Sequence, residues 1–84
     1  MKIEVLGSGC ANCKALEAAT GQALAQLGMD DPVEKVTDFP TIVSYGVMST
    51  PALALDGEVK VAGRLPTVEE LKRLLSEHSL SHLG

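Results

Sequence analysis

Apolar and polar residues recur with different periods along this 84-residue chain, and the changes of period divide it into strands and helices. The run KIEVL at residues 2–6 is rich in β-forming residues and ends at Gly7-Ser8-Gly9, which predicts a strand followed by a turn. From residue 11 to residue 27 the spacing becomes helical, and Gly28 is a stop signal. The inward face of this predicted helix carries Cys13, Leu16, Thr20, Ala23, Leu24 and Leu27.

The middle of the chain predicts an edge strand and a short helix. Residues 33–37 have the mixed polarity of a strand at the edge of a sheet. Asp38 is placed to cap a helix with a proline in its first turn. We expect Phe39, Ile42 and Val43 to form a single apolar stripe on that helix.

The last part of the chain predicts a hairpin and a final helix. Residues 52–55 are uninterruptedly apolar, as in a strand covered on both faces, and Asp56-Gly57 is a preferred hairpin dipeptide before a strand at 58–62. Thr67-Val68-Glu69-Glu70 has the form of a capping box. The helix that follows places Val68, Leu71, Leu74 and Leu75 inward. We predict one domain over residues 1–78 and a frayed tail over 79–84.

These elements follow in the order βαβαββα, which indicates an α/β fold with a mixed sheet. Strands joined through a helix are expected to be parallel, whereas the hairpin adds an antiparallel pair. The chain is 45% hydrophobic with a single Phe and a single Tyr, so its core is expected to be aliphatic.

Charge and hydropathy exclude several classes of function. The net charge is −4 and no run of lysine and arginine occurs, which argues against nucleic acid as a partner. No segment is long and apolar enough to span a membrane, and Glu4 interrupts the N-terminal apolar run where a secretory signal would continue. We therefore expect a cytoplasmic protein, and in that compartment a close cysteine pair favours catalysis or metal binding over a structural disulfide.

Cys10 and Cys13 form a C-x-x-C motif at the predicted junction of strand and helix. The unpaired N–H groups and the dipole at a helix N-terminus stabilise a thiolate there, and thiolates are the nucleophiles of disulfide exchange. Cys13 lies one turn further on the same helical face, shielded by the backbone. This asymmetry predicts that Cys10 attacks a target disulfide and that Cys13 resolves the mixed disulfide.

The motifs CANCK at 10–14 and GVMSTPAL at 46–53 resemble those of the thioredoxins, most closely the very small redox-active disulfide proteins of archaea and bacteria. The resemblance extends to about residue 78. It implies a minimal thioredoxin fold with a four-stranded sheet of order 2-1-3-4 and helices on both faces. It also implies a cis-proline at Pro51, with Thr50 before it beside the active disulfide.

We further expect a docking surface for substrates and two residues that tune the thiols. The surface would consist of Ala11, Met48, Thr50, Pro51 and Gly63. Glu4 matches the buried carboxylate of the family, although it also fits a solvated strand residue, and Lys14 would add positive potential or simply face solvent. No bound cofactor is implied beyond a redox-active Cys10–Cys13 disulfide. The implied partners are a flavoprotein reductase of the thioredoxin-reductase type, drawing on NADPH, and disulfide-containing proteins, and the chain is expected to be a monomer.

The strongest alternative is a heavy-metal module, because such domains also carry Cys-Ala-Asn-Cys at a strand-to-helix junction and thiolates bind Cu(I) well. The elements of those domains follow the order βαββαβ, however, so they end on a strand, whereas this chain is predicted to end on a helix. A zinc site of Cys10, Cys13, His78 and His82 has a spacing far beyond that of a zinc finger.

Two further alternatives are disfavoured. A scaffold protein without redox activity would have no need of the two cysteines. The segment Val61-Ala62-Gly63-Arg64 does not match the glutathione-binding site of glutaredoxins, so glutathione is not the expected reductant.

Overall fold

The computed structural model describes residues 2–7 and 11–83, with side chains through residue 79. Within this part of the chain the elements follow the predicted order βαβαββα. They are β1 (Ile3–Leu6), α1 (Ala11–Leu27), β2 (Val33–Val36), α2 (Phe39–Ser44), β3 (Ala52–Leu55), β4 (Glu58–Ala62) and α3 (Val68–Leu83).

The four strands form one mixed sheet of order β2-β1-β3-β4, which confirms the expected topology. Strand β1 runs parallel to β2, with Ile3 opposite Val33, and antiparallel to β3. Strand β3 pairs antiparallel with β4, and a bulge makes Lys60 an extra residue on β4. Strand β2 therefore lies at an edge, as its mixed polarity predicts.

Helices cover both faces of this sheet because the side chains of each strand alternate between them. On one face, β1 and β3 residues pack with buried residues of α1 and α3, among them Leu16, Leu24, Leu71 and Leu75. On the other face, Leu6, Ala52 and Ala54 pack with Ile42 of α2 and with Val47. All four residues of β3 are buried, as expected for a strand covered on both sides.

The turn and cap signals of the sequence have the predicted geometry. The carboxylate of Asp38 accepts a 3.2 Å hydrogen bond from the Thr41 N–H and a 2.6 Å bond from the Thr41 hydroxyl, which caps α2. In the β3–β4 turn, Asp56 has φ 50° and Gly57 has φ 84°. Two successive positive φ angles are typical of the tight hairpin that Asp-Gly favours.

The predicted apolar stripe of α2 was wrong in part. Ile42 is 3% exposed, whereas Phe39 is 71% exposed and Val43 is 49% exposed. A helix of six residues makes fewer than two turns, so only one of its positions meets the sheet squarely. The remaining two side chains project from the surface.

The N-terminus of α3 follows the predicted capping box only in its first half. The Thr67 hydroxyl accepts a 3.1 Å hydrogen bond from the Glu70 N–H, as expected. Both carboxylate oxygens of Glu70 instead bind the guanidinium of Arg64, one of them at 2.9 Å. Arginine offers the two parallel donors that fit a carboxylate, and it satisfies this side chain better than a single backbone N–H would.

The last helix extends beyond residue 78, the end of the predicted domain. Helix α3 continues to Leu83. No glycine or proline interrupts the sequence from Val68 to Leu83, so nothing in this stretch forces the helix to stop. Gly84, the last residue of the predicted tail, lies outside the described residues.

Candidate functional site

Cys13 lies in the first turn of α1 and is nearly buried, with 5% of its surface exposed. It belongs to the buried face of α1 with Leu16 and Thr20, as the helical spacing predicts. Cys13 is disulfide-bonded. The sequence contains one other cysteine, Cys10, which lies outside the described residues. Helix α1 begins at Ala11, the residue that follows Cys10 in the sequence.

Gly7, at the end of β1, lies directly against Cys13. A Cβ atom added to Gly7 would overlap the Sγ of Cys13 and would lie 3.4 Å from its Cβ. The same added atom would lie 3.6 Å from the Cβ of Thr50. The Gly7 N–H donates a 2.9 Å hydrogen bond to the Val36 carbonyl, which holds this point of the backbone against β2. The end of β1, the first turn of α1 and the segment before β3 therefore meet here.

The Thr50–Pro51 peptide bond is cis. Pro51 is buried, whereas Thr50 is exposed. The Pro51 carbonyl accepts a 2.9 Å hydrogen bond from the Gly63 N–H, so the segment before β3 is tied to the end of β4. Gly63 has φ 78°, and an added Cβ would lie only 3.0 Å from the Cβ of Ser49, so this position suits glycine.

Four of the five residues expected to form a docking surface lie on the exterior. Ala11, Thr50 and Gly63 are exposed, and Met48 is 94% exposed. The contacts of Gly7, Ser49 and Gly63 connect Cys13 with the segment that carries Thr50 and Pro51. Met48 projects from that same segment with almost no packing of its own.

A cavity of about 40 Å³ lies beside Cys13, between α1 and β2. Its rim carries an ion pair in which Lys35 Nζ lies 3.4 Å from Glu17 Oε2. Lys14 also lines it, so this exposed side chain lies near Cys13 rather than only in solvent. The other lining residues are Val5, Gly7 and Thr37.

Glu4 is buried, with 4% exposed, so it is not the solvated strand residue of the alternative interpretation. Its Oε1 accepts a 2.7 Å hydrogen bond from the Tyr45 hydroxyl, and its Oε2 lies 3.9 Å from Lys2 Nζ. Because strand side chains alternate, Glu4 lies on the α2 face, whereas Val5 lies on the α1 face beside the cavity. The carboxylate thus has a partner that the sequence did not indicate.

The hydrogen bond to Glu4 raises the pKa of Tyr45 above its ordinary value of 10.0. Burial and the negative charges of Glu4 and Glu34 act in the same direction. A phenol that donates to a carboxylate resists ionisation, because losing its proton would place two negative charges together. Tyr45 is therefore held as a hydrogen-bond donor at neutral pH.

His78 lies in a different part of the molecule from Cys13. Its Nε2 lies 2.8 Å from Oδ2 of Asp56, in the β3–β4 turn. Asp56 is hydrogen-bonded to Lys2, which precedes β1. Cys13 instead lies beside Gly7, which follows the other end of β1. Within residues 2–7 and 11–83, no group of three or more histidine, cysteine or acidic residues is arranged to hold a metal ion.

Two contacts of this site escaped sequence reasoning. The sequence predicts Gly7 only as part of a turn, although a glycine between a strand and a C-x-x-C motif is also a signal for close backbone approach. The Glu4–Tyr45 pair spans 41 residues of sequence and has no local signal.

None of the helices in the described part of the chain combines the length and the apolar character that a membrane span requires.

Comparison with known proteins agrees with this architecture. A family model described as "Thioredoxin domain" matches residues 1–76. The chain is 43% identical over 76 residues to a "Thioredoxin" of Methanothermobacter thermautotrophicus, a match that covers 90% of this chain and 99% of the relative. It is 34% identical over 76 residues to a "Thioredoxin" of Methanocaldococcus jannaschii, covering 90% of this chain and 87% of that protein. The chain therefore belongs to the thioredoxin family of thiol-disulfide oxidoreductases.

Proposed function

We propose that this protein reduces protein disulfides through a redox-active pair formed by Cys10 and Cys13. The observation that carries the proposal is the placement of Cys13, disulfide-bonded and nearly buried in the first turn of α1, against Gly7 and the segment that contains Thr50 and Pro51. Cys10 precedes the first residue of a 17-residue helix in the sequence. The helix N-terminus favours the thiolate of a cysteine at that position.

The reaction proceeds by two exchanges. The Cys10 thiolate attacks one sulfur of the target disulfide, forms a mixed disulfide and releases the other target sulfur as a thiolate, which takes a proton. Cys13 then loses its proton and attacks Cys10 Sγ. The bond between Cys10 and the target breaks, and the second target thiolate leaves. Two electrons pass to the target, and the protein is left with the Cys10–Cys13 disulfide.

The target docks over the exposed segment before β3. The backbone of Thr50 is available to pair with an extended target peptide, and β-strand addition of this kind supplies affinity with little dependence on sequence. Ala11, Met48 and Gly63 add uncharged surface around it, and Pro51 underlies it without charge or metal affinity. Lys14 contributes positive potential near the thiols, and Glu4 acts on the site through its hydrogen bond with Tyr45.

Regeneration of the dithiol requires a separate electron donor, since the proposed active group is the disulfide alone. By family membership that donor is a flavoprotein of the thioredoxin-reductase type that draws on NADPH. We propose that the protein works as a monomer in the cytoplasm, where such a reductase keeps the pair reduced.

Insulin reduction tests the proposal. The wild-type protein should accelerate the reduction of insulin by dithiothreitol, and NADPH consumption in the presence of a thioredoxin reductase should identify the donor. Cys10→Ser and Cys13→Ser should each abolish the acceleration. If the wild type leaves insulin reduction unchanged but retains one Cu(I) through gel filtration, the metal-binding alternative is correct and the redox proposal is wrong.

A further inference from the structure

We propose that Gly7 is a positioning residue for the Cys13 sulfur, and that its missing side chain favours the disulfide over the dithiol. The inference rests on the proposed function, because it takes Cys10 and Cys13 as the redox pair. It adds a determinant of the redox equilibrium that lies outside the C-x-x-C motif.

The space between β1 and α1 is filled by the sulfur itself. A Cβ added to Gly7 would overlap Cys13 Sγ. The Gly7 backbone cannot easily move away from the sulfur, because its N–H donates a 2.9 Å hydrogen bond to the Val36 carbonyl. Thr50 closes the other side, since its Cβ would lie 3.6 Å from the added atom. A methyl group at this position therefore has to displace the sulfur.

The cost of that displacement depends on the redox state. In the disulfide, Sγ of Cys13 is bonded to a second sulfur as well as to its own Cβ, so it cannot change rotamer independently. In the dithiol, Sγ is free to take another staggered χ1 position. The cavity of about 40 Å³ that borders both Gly7 and Cys13 gives it room to do so. A side chain at residue 7 therefore destabilises the disulfide more than the dithiol.

Backbone conformation is a separate effect with a different signature. Gly7 has φ 158°, at the limit of the region that side chains of L-residues rarely adopt. Strain from this source is the same in both redox states, because it does not involve the sulfur. Backbone strain therefore cancels in the equilibrium between disulfide and dithiol, and a change in that equilibrium reports only the contact between residue 7 and Cys13.

The test is the redox equilibrium of Gly7→Ala against reduced and oxidised glutathione. In this equilibrium two glutathione thiols give two electrons and two protons to the protein disulfide and become oxidised glutathione. We expect the variant to favour the dithiol at least tenfold more than the wild type, equivalent to about 30 mV for a two-electron couple. The matched control is Gly21→Ala in α1, where an added Cβ meets nothing within 4 Å, and it should equilibrate as the wild type does. A wild-type equilibrium in Gly7→Ala overturns the inference.

A double-mutant cycle in urea tests the contact independently of redox chemistry. Gly7→Ala should raise the unfolding equilibrium constant of the oxidised protein by a factor at least ten times larger than the factor by which it raises that constant in a Cys13→Ala background, where no sulfur is present. Equal effects in the two backgrounds overturn the inference. If the wild type fails to exchange with glutathione at all, the proposed function fails, and this cycle alone decides whether Gly7 positions the sulfur.

Discussion

The hydroxyl of Tyr45 donates a 2.7 Å hydrogen bond to the buried carboxylate of Glu4. Glu4 belongs to the strand that leads to the cysteine pair, and Tyr45 ends the helix that precedes the segment with Thr50 and Pro51. The bond therefore links the two parts of the chain that meet at Cys13. It also gives a buried acid a donor, without which its burial would cost several kcal/mol.

Because of this hydrogen bond, the pKa of Tyr45 reports directly on its contact with Glu4. Glu4→Gln should lower the pKa of Tyr45 towards its ordinary value of 10.0, since the bond to Glu4 is the largest cause of its increase. The ultraviolet absorbance of the phenolate measures this cleanly, because the chain has one tyrosine and no tryptophan. Glu34→Gln, which removes a weaker influence, should have a smaller effect. An unchanged titration midpoint in Glu4→Gln would disprove the assignment.

The raised pKa also sets the pH range in which the bond stabilises the fold. A group whose pKa is higher in the folded state contributes its full stabilisation below its unfolded pKa and loses it as the pH rises through the folded value. The stability difference between wild type and Tyr45→Phe should therefore be constant at neutral pH and fall in alkaline solution, above pH 10.0. Urea unfolding at several pH values measures it.

The surface of α2 gives a prediction about stability. Ile42→Ala removes the helix residue that packs on Leu6 and the alanines of β3, and should cost about 2–5 kcal/mol of unfolding free energy. Phe39→Ser should change it by less than about 0.5 kcal/mol, because Phe39 is 71% exposed. Chemical denaturation of the two variants is the measurement. Equal losses would show that Phe39 packs in solution after all.

Asp56 contacts Lys2 and His78 at the opposite end of β1 from Cys13. Its N–H donates to the Lys2 carbonyl at 2.7 Å, its Oδ1 accepts from the Lys2 N–H at 2.7 Å, and its Oδ2 lies 2.8 Å from His78 Nε2. Asp56→Ala should cost about 2–3 kcal/mol, since it removes the side-chain contacts to Lys2 and His78 and places alanine at φ 50°.

Asp56→Asn is the matched control for that variant. Asparagine tolerates a positive φ and keeps an oxygen for the Lys2 N–H, so it should lose less than half as much stability as alanine. Thermal unfolding monitored by circular dichroism compares the two. An asparagine variant as unstable as the alanine variant would mean that the charge facing His78, rather than the turn, dominates.

Met48 allows the docking surface to be tested without disturbing the core. It is 94% exposed, so Met48→Asp should leave the unfolding free energy unchanged while raising the KM for insulin several-fold. Gln26→Asp is the control, since it adds the same charge near the far end of α1, about 20 Å from its first turn. Equal KM values in the two variants would place docking elsewhere.

The order of elements was predictable because each depends on neighbours in sequence. Asp56-Gly57 specifies a hairpin through its backbone preferences, and Asp38 caps α2 through a bond to a residue three positions away. The sheet order required the family resemblance, since hydrophobic periodicity does not say which strand lies beside β1. The exposure of Phe39 was not predictable, because periodicity does not show how a short helix tilts on its sheet.

The contacts within the site depend on distant parts of the chain. The C-x-x-C motif and the Thr-Pro segment are local signals, so their chemistry could be expected from the sequence. The partner of Glu4 lies 41 residues away, and the contact between Gly7 and Cys13 depends on how β1 and α1 converge. Glu70 binds Arg64 instead of completing its capping box, because the preceding loop brings a better donor within reach.

In the proposed mechanism the two cysteines have different roles, because Cys10 attacks the target disulfide and Cys13 resolves the mixed disulfide. This division of roles can be measured by incubating single-cysteine variants with native, disulfide-bonded insulin and analysing the products by mass spectrometry without reductant. Cys13→Ser should accumulate a covalent adduct that dithiothreitol releases, because its mixed disulfide cannot be resolved, whereas Cys10→Ser should form none. Equal adduct formation by both variants, or adducts with Cys10→Ser alone, would show that Cys10 is not the attacking cysteine.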